Sequence, residues 1–377
     1  MLWPVVKPPK SSLYWLDEVH KNFYLLMFQG EEVADCFPAE FRTVLDASAK
    51  TNTYFVNVYL EYNQLSGAHK ASFQQIYDQQ IKIVPLYSDA RIALLKPKVN
   101  APGSTEHKEL WKACKKLGGY LYSTTLGLKC FSDSLVEKFD DVELSDMHEH
   151  YQEFKRLNTP ICSFCGLSSM TAEVLIEPED GADLPEEKQR RASYDHYLPK
   201  AHYPFLAVDF NNLIPCCDTC NEDFKEEKDA LTDDDDERSL SFVPYSKEQV
   251  QLRATYLKRM GDFYKMRVGI LATGCDIEKK GKTWNRIFKV QGRVNHLLDE
   301  SFTEEWLAPL LADVEQVEDA KLKLQREADR LDAKKTTRKE VYYKALSFSH
   351  LAGSDDEVVE DLLLAVKDIY EPRRNAL

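Results

Sequence analysis

Four pieces of the middle of the chain decide how it is read: Cys162-Ser163-Phe164-Cys165-Gly166, Tyr194-Asp195-His196-Tyr197-Leu198-Pro199-Lys200, Asn211-Asn212-Leu213-Ile214-Pro215 and Cys216-Cys217-Asp218-Thr219-Cys220-Asn221. The outer pieces carry two CxxC knuckles. Two residues between thiolates let both sulfurs of a knuckle face one cation, and two knuckles complete a tetrahedral four-sulfur set that selects zinc over harder ions. With Cys162, Cys165, Cys217 and Cys220 filling all four positions, the expected zinc is structural and clamps two distant segments together. Cys216 is a spare thiol beside the second knuckle, so which sulfur of that pair binds stays open. The other four of the nine cysteines, Cys36, Cys114, Cys130 and Cys275, are scattered singly and read as small buried hydrophobes.

Between the knuckles, Asp195-His196 followed by Pro199, then Asn212-Leu213, then Cys220-Asn221 with Lys225, occur in the order found in HNH endonucleases. Over residues 161–228 the chain therefore resembles that family, the His-Me finger or ββα-metal group, in the form with a four-cysteine zinc site. The resemblance implies a nuclease finger in which His196 is the general base, Asp195 and Asn221 hold a catalytic Mg²⁺ or Mn²⁺, and Asn212 holds the loop between the strands and orients His196. The residue types suit phosphodiester hydrolysis. A neutral imidazole takes a proton from water near pH 7, and oxygen ligands suit a hard divalent ion. Neighbouring side chains on a strand point to opposite faces, so Asp195 and His196 can share a site only at a strand end. The last position of the motif is Asn rather than His, as in the HNN variants. Lys225 is either a phosphate contact or a solvent-facing lysine of the helix that follows Cys217, and His202 reads as a structural or exposed loop residue.

The net charge is −14, which excludes a general nucleic-acid coat protein. The charge is uneven, at −3 for residues 1–155, −12 for 156–244, +8 for 245–296 and −7 for 297–377. The basic segment 245–296, with Tyr256, Tyr264 and Trp284 among its Lys and Arg residues, is one candidate nucleic-acid surface. Lys188, Arg190 and Arg191, just before Asp195-His196, form a second, and Lys200 and Lys225 are further candidate nucleic-acid contacts.

Apolar spacings of three and four, as in Leu13, Leu16, Val19, His20, Phe23 and Tyr24, predict helices through residues 11–155, with breaks at Gly30, at residues 100–104 and at Leu117-Gly118-Gly119. Residues 54–62 fit a strand or a buried helix equally, residues 304–345 read as an amphipathic helix or helical hairpin, and the run Asp233 to Glu237 reads as a solvated loop. The expected fold is mainly α, with a helical region 1–155 in a regulatory or assembly role, a small zinc-stapled ββα-metal HNH finger at 156–244, and a helical region 245–377. No apolar run is long enough for a membrane helix, and Pro4, Pro8 and Pro9 interrupt the place of a signal peptide, which reads as a cytoplasmic protein.

The expected function is metal-dependent endonuclease activity by His-activated water attack, on DNA first and RNA second. By family analogy it serves as an effector in bacterial anti-phage defence, with a regulatory partner such as an ATPase subunit or a homo-oligomer. The alternative is a non-catalytic zinc finger that binds nucleic acid or a protein partner.

Overall fold

A computed structural model describes residues 1–97, 106–171, 174–176, 187–189, 191–258, 264–271 and 273–374. The protein is mainly helical, with 58% helix and 6% strand, the strands forming small two-stranded sheets. The predicted break at residues 100–104 lies outside the described residues.

The first helix, α1 (Tyr14–Gln29), buries Trp15, Leu16, Val19, His20, Phe23, Tyr24 and Met27 along one stripe. It ends at Gly30, whose φ of +88° is the left-handed geometry that glycine adopts without strain. Helices α2 (Ala39–Ala47), α3 (Ala49–Asn63), α4 (Gly67–Ile81) and α5 (Val84–Ser88) follow, so the ambiguous run 54–62 is helical. Three aromatic rings of this region, Phe23, Phe37 and Phe55, meet at centroid separations of 4.9 to 5.4 Å. The region continues with α6 (Lys108–Ser123), α7 (Lys129–Lys138) and α8 (Met147–Leu157).

Helix α6 corrects one expectation. Leu117-Gly118-Gly119 does not break the chain but lies inside the helix. A Cβ on Gly118 would fall 2.7 Å from the Pro204 carbonyl oxygen and 2.8 Å from Ala207 Cβ, whereas one on Gly119 would meet open space. Glycine at 118 thus lets the helix lie directly on the 204–207 turn; its use here is the missing side chain rather than backbone freedom.

Next come short antiparallel pairs: β1 (Val174–Ile176) with β2 (Glu187–Gln189), and β3 (Tyr194–His196) with β4 (Leu213–Pro215), the latter in the register Tyr194↔Pro215, Asp195↔Ile214 and His196↔Leu213. A wide helical turn, Thr219–Lys225, follows β4. The basic segment then opens with a hairpin, β5 (Leu252–Lys258) and β6 (Tyr264–Ile270), and continues as α9 (Cys275–Phe288) and α10 (Val290–Ser301). The chain closes with a wide turn at Phe302–Leu307, α11 (Ala308–Leu311), α12 (Val317–Asp332), α13 (Val341–Ala352) and α14 (Asp356–Arg374). Helices α12 and α13 pack against each other as a helical hairpin.

Buried apolar side chains from Met1 to Val366 form one contiguous cluster. Polar clamps tie the N-terminal strand-like segment into it. Asn158 accepts from the Val6 amide and donates to the Val6 carbonyl, both at 2.7 Å, and the Leu2 amide donates to the Ser163 carbonyl at 2.8 Å. No helix among the described residues is long and apolar enough to cross a membrane.

Two outcomes are expected in urea or thermal unfolding. Gly118→Ala overpacks the α6 contact and costs about 1–3 kcal/mol, whereas Gly119→Ala is neutral or stabilises by up to about 1 kcal/mol; equal effects at the two sites would contradict the close approach. The second outcome concerns His20, which is fully buried with neither ring nitrogen partnered and is pushed by burial down to about 3. The unfolded imidazole takes a proton near pH 6.5 that the folded one refuses, so stability is complete above that pH and falls as the pH drops towards 3. His20→Leu should reduce the stability lost between pH 7.5 and 5 by about 2 kcal/mol, read from unfolding curves at each pH.

Candidate functional site

The four knuckle cysteines come together as the spacing predicts. The Sγ atoms of Cys162, Cys165, Cys217 and Cys220 are buried and lie within 4.8 Å of one another. Cys165 and Cys217 are 3.8 Å apart. A tetrahedral site with Zn–S bonds of about 2.3 Å has sulfur–sulfur edges of about 3.8 Å, so the donor set fits zinc in both chemistry and size. Cys216 is buried and outside the set, which settles the choice at the second knuckle in favour of Cys217.

Each knuckle has the supporting contacts of a metal turn. The Leu167 amide donates to Cys165 Sγ at 3.4 Å, and the Gly166 amide donates to the Cys162 carbonyl at 2.9 Å. Gly166 has φ of +66°, and a Cβ there would lie 2.8 Å from Leu2 Cδ2, so this turn demands glycine twice over. Hydrogen bonds from the neighbouring thiols, that of Cys162 first, hold Cys217 well below the ordinary thiol range. Arg293 donates to Cys220 Sγ at 3.3 Å while its guanidinium lies 4.7 Å from the Phe224 ring centre. Its positive charge offsets part of the negative charge that four thiolates leave around a dication.

The second knuckle runs straight into the turn Thr219–Lys225, and β3, β4 and this turn form a β-β-helix unit. Asp195 and His196 close β3, at the strand end their adjacency requires. Both line a cleft of about 330 Å³ together with Tyr122, Ser193, Tyr194, Pro199, Lys200, Ala201, Asn221, Lys225, Glu226 and Glu227.

His196 is 7% exposed, and its Nε2 lies 2.8 Å from the Ala207 carbonyl oxygen. A carbonyl only accepts, so Nε2 carries the proton and Nδ1 keeps the lone pair of the neutral ring. Burial pushes this imidazole down to about 3, with Lys200 acting in the same direction and the Ala207 bond opposing it. His196 is therefore a neutral ring with one acceptor nitrogen at physiological pH. Asp195 is buried, with Oδ1 paired to Lys225 Nζ at 3.0 Å and Oδ2 unpartnered. Burial raises the Asp195 carboxyl and Lys225 acts against that shift. An orphaned buried carboxylate oxygen in a cleft that Asn221 also lines is a donor of the type suited to a hard divalent ion.

Asn212 does not line the cleft. Its Oδ1 accepts from the Leu198 amide at 2.8 Å and its Nδ2 donates to the Leu198 carbonyl at 3.0 Å, which closes the loop between β3 and β4. That loop carries Ala207, so Asn212 acts on His196 through the loop. Lys225 needs correction. It is neither a phosphate contact nor a solvent-facing helix residue, because at 1% exposure its ammonium is enclosed by Asp195 and by the His196 carbonyl, to which it donates at 2.6 Å. Lys200 is at the cleft with its ammonium 5.1 Å from the Tyr122 ring centre. Arg191 lies over the rings of Tyr151 and Tyr194 at 5.5 and 5.3 Å, and Arg190 falls outside the described residues. His202 is half-exposed beside Asp229, which raises its pKa through a hydrogen bond.

In the basic segment 245–296, the other candidate surface, several cations serve internal contacts, while Lys247, Arg253, Lys279 and Lys289 are exposed. Lys280 is buried on Glu248, Lys265 and Arg267 share Asp299, and Arg286 binds Asp234 and the carbonyls of Asp229 and Thr232. Trp284 is buried and donates to the Phe164 carbonyl at 3.0 Å, locking α9 onto the first knuckle. The side chains of Lys258, Arg259 and Tyr264 fall outside those described.

One wall of the cleft comes from outside the motif. Tyr122 of α6 sets its ring 4.4 Å from that of His196 and donates to the Tyr194 carbonyl at 3.0 Å. Tyr122 lies four residues, about one helical turn, beyond Gly118, so the close approach at Gly118 seats α6 where Tyr122 reaches the histidine. No spacing in the sequence marks Tyr122; the glycine pair is the one local signal near it.

Comparison with protein families, with curated proteins and with solved structures finds no match to this chain.

Cys217→Ser is expected to lower bound zinc from one equivalent towards none, and to open residues 160–228 to protease as a unit. Elemental analysis and limited proteolysis check both; undiminished zinc with unchanged resistance would show that the four thiols hold no metal.

Proposed function

We propose that the protein is a metal-dependent endonuclease of the HNH type, hydrolysing phosphodiester bonds of nucleic acid, with DNA the first substrate to test. The observation that carries this reading is the convergence in one cleft of a His196 whose acceptor nitrogen is fixed by the Ala207 carbonyl, the unpartnered Asp195 Oδ2 and Asn221, all on a β-β-helix unit next to a four-cysteine cluster.

In this reading His196 Nδ1 takes the proton of the attacking water, and the Ala207 carbonyl stabilises the imidazolium that results by holding Nε2–H. Asp195 Oδ2 and the Asn221 side-chain oxygen would hold Mg²⁺ or Mn²⁺, which supplies charge neutralisation at the phosphate and the leaving oxygen. Lys225 fixes the position of the Asp195 carboxylate while leaving one oxygen available. Burial keeps His196 neutral, so the base form is present throughout the neutral range.

The same Lys225 ammonium supports the second reading, a zinc-stapled binding module, because it already neutralises the Asp195 charge without a metal. Incubation of plasmid DNA with the protein in EDTA, Mg²⁺ or Mn²⁺ separates the two. The nuclease should nick or linearise DNA in a divalent ion, and His196→Ala should lose at least about 100-fold in rate with zinc content and melting temperature retained. Cutting undiminished in that variant would remove His196 as the base. DNA or RNA that is bound but never cut with any divalent ion would favour the binding module.

A further inference from the structure

Several exposed cations of this acidic chain are each faced by a carboxylate, as Lys129 is by Asp133, Arg156 by Glu153 and Arg330 by Glu327. Helix α6 departs from that pattern. Lys108, Lys112, Lys115 and Lys116 are all exposed and Glu109 is the one acidic residue of the helix. Lys112 contacts Glu109 only at 3.5 Å with both side chains more than half exposed, a weak pairing, and Lys115 and Lys116 have no carboxylate partner among the described residues.

The positions matter more than the count. Lys108, Lys112, Lys115, Gly119 and Tyr122 follow spacings of four, three, four and three, which place them on one stripe of a helix. The stripe begins with three ammonium groups, passes Gly119, where no side chain intervenes, and ends at Tyr122 with Lys200 over its ring, at the mouth of the cleft holding His196. Lys115 lies near enough to His202 to oppose its protonation, so the ridge flanks the 200–203 loop as well. From Lys108 to Tyr122 the helix rises about 21 Å, the length of about six nucleotide steps. Glu226 and Glu227, which also line the cleft, are exposed and repel phosphate, Glu227 lying near Lys200 and His202.

We propose that the lysine ridge of α6 is the track that binds the sugar–phosphate backbone of a nucleic acid and leads it past Gly119 and Tyr122 to His196. This inference rests on the nuclease reading above and adds where the substrate lies: on the N-terminal helical region rather than on residues 245–296. The helix contributes a row of positive charge to a finger that carries −12.

The test uses the full chain in EDTA with fluorescein-labelled 20-mers as single-stranded DNA, duplex DNA and RNA, titrated at several salt concentrations. K112Q/K115Q/K116Q should weaken binding at least tenfold near 0.1 M salt and lower the log–log salt slope by about two to three, with an unchanged melting temperature, because all three side chains are exposed. R253Q/K279Q/K282Q removes the same charge from the basic segment and should leave affinity within twofold. Equal losses in the two variants, or none in the first, would overturn the track while metal-dependent plasmid cutting by the wild type kept the nuclease reading intact. A wild type that neither binds any of the three probes nor cuts plasmid would overturn both. The probe bound most tightly identifies the polymer.

Discussion

Everything around the cleft depends on the contact between two pairs of thiols. The segment that carries His196 and Asn221 has strands of only three residues and a seven-residue helical turn, too little regular structure to hold a geometry alone. Four sulfurs within 4.8 Å fix where Cys162–Cys165 lies relative to Cys217–Cys220, and the second of these leads directly into Asn221 and, within the same helical turn, to Lys225. The cluster is in turn embedded. Trp284, Tyr343 and the Leu2 amide each hydrogen-bond to a carbonyl of the first knuckle, so helices from the C-terminal half and the first residues of the chain grip the same five-residue turn. The embedding explains why so small a unit can hold a buried histidine and a buried carboxylate side by side.

Charge in this protein is organised by burial rather than by total. The finger region carries the most negative charge of the chain, yet the groups at the cleft floor are a neutral imidazole and a carboxylate tied to an enclosed lysine. Removing Lys225 would leave Asp195 as an uncompensated buried charge, a far larger penalty than losing a surface pair. The helical region contributes through the same logic in reverse, since the α6 lysines are exposed and able to act at a distance, whereas Lys265, Arg267, Lys280 and Arg286 of the 245–296 segment are engaged with nearby carboxylates and carbonyls.

How much of this was legible in the sequence divides along a physical line. Features encoded by local spacing were readable: the helix stripe of residues 13–24, the two CxxC turns, and the adjacency that sends Asp195-His196 to a strand end. Features that depend on what packs against a residue were not. Lys225 looks like any lysine in the run Glu222 to Lys228, and only the fold puts it under Asp195. Gly118-Gly119 reads as a turn because glycine frees the backbone, while the actual reason for Gly118 is a neighbour that comes too close for a methyl group. Tyr122 contributes a wall from outside the motif, and a motif cannot name residues that reach it from another part of the chain. In the basic segment, composition counts charges without saying which are neutralised internally, as Lys280 is by Glu248.

The hydrogen bond from Tyr343 to the Cys165 carbonyl spans 178 residues of sequence and has a consequence for the order of events during synthesis. At about 5–20 residues per second, a ribosome that has just released Cys165 needs roughly 10 to 35 s to deliver Tyr343. Until then the first knuckle lacks part of its packing, even though α6 and the cysteines have all emerged. The packing of the first knuckle is thus completed only by residues more than a hundred positions downstream, Trp284 and then Tyr343.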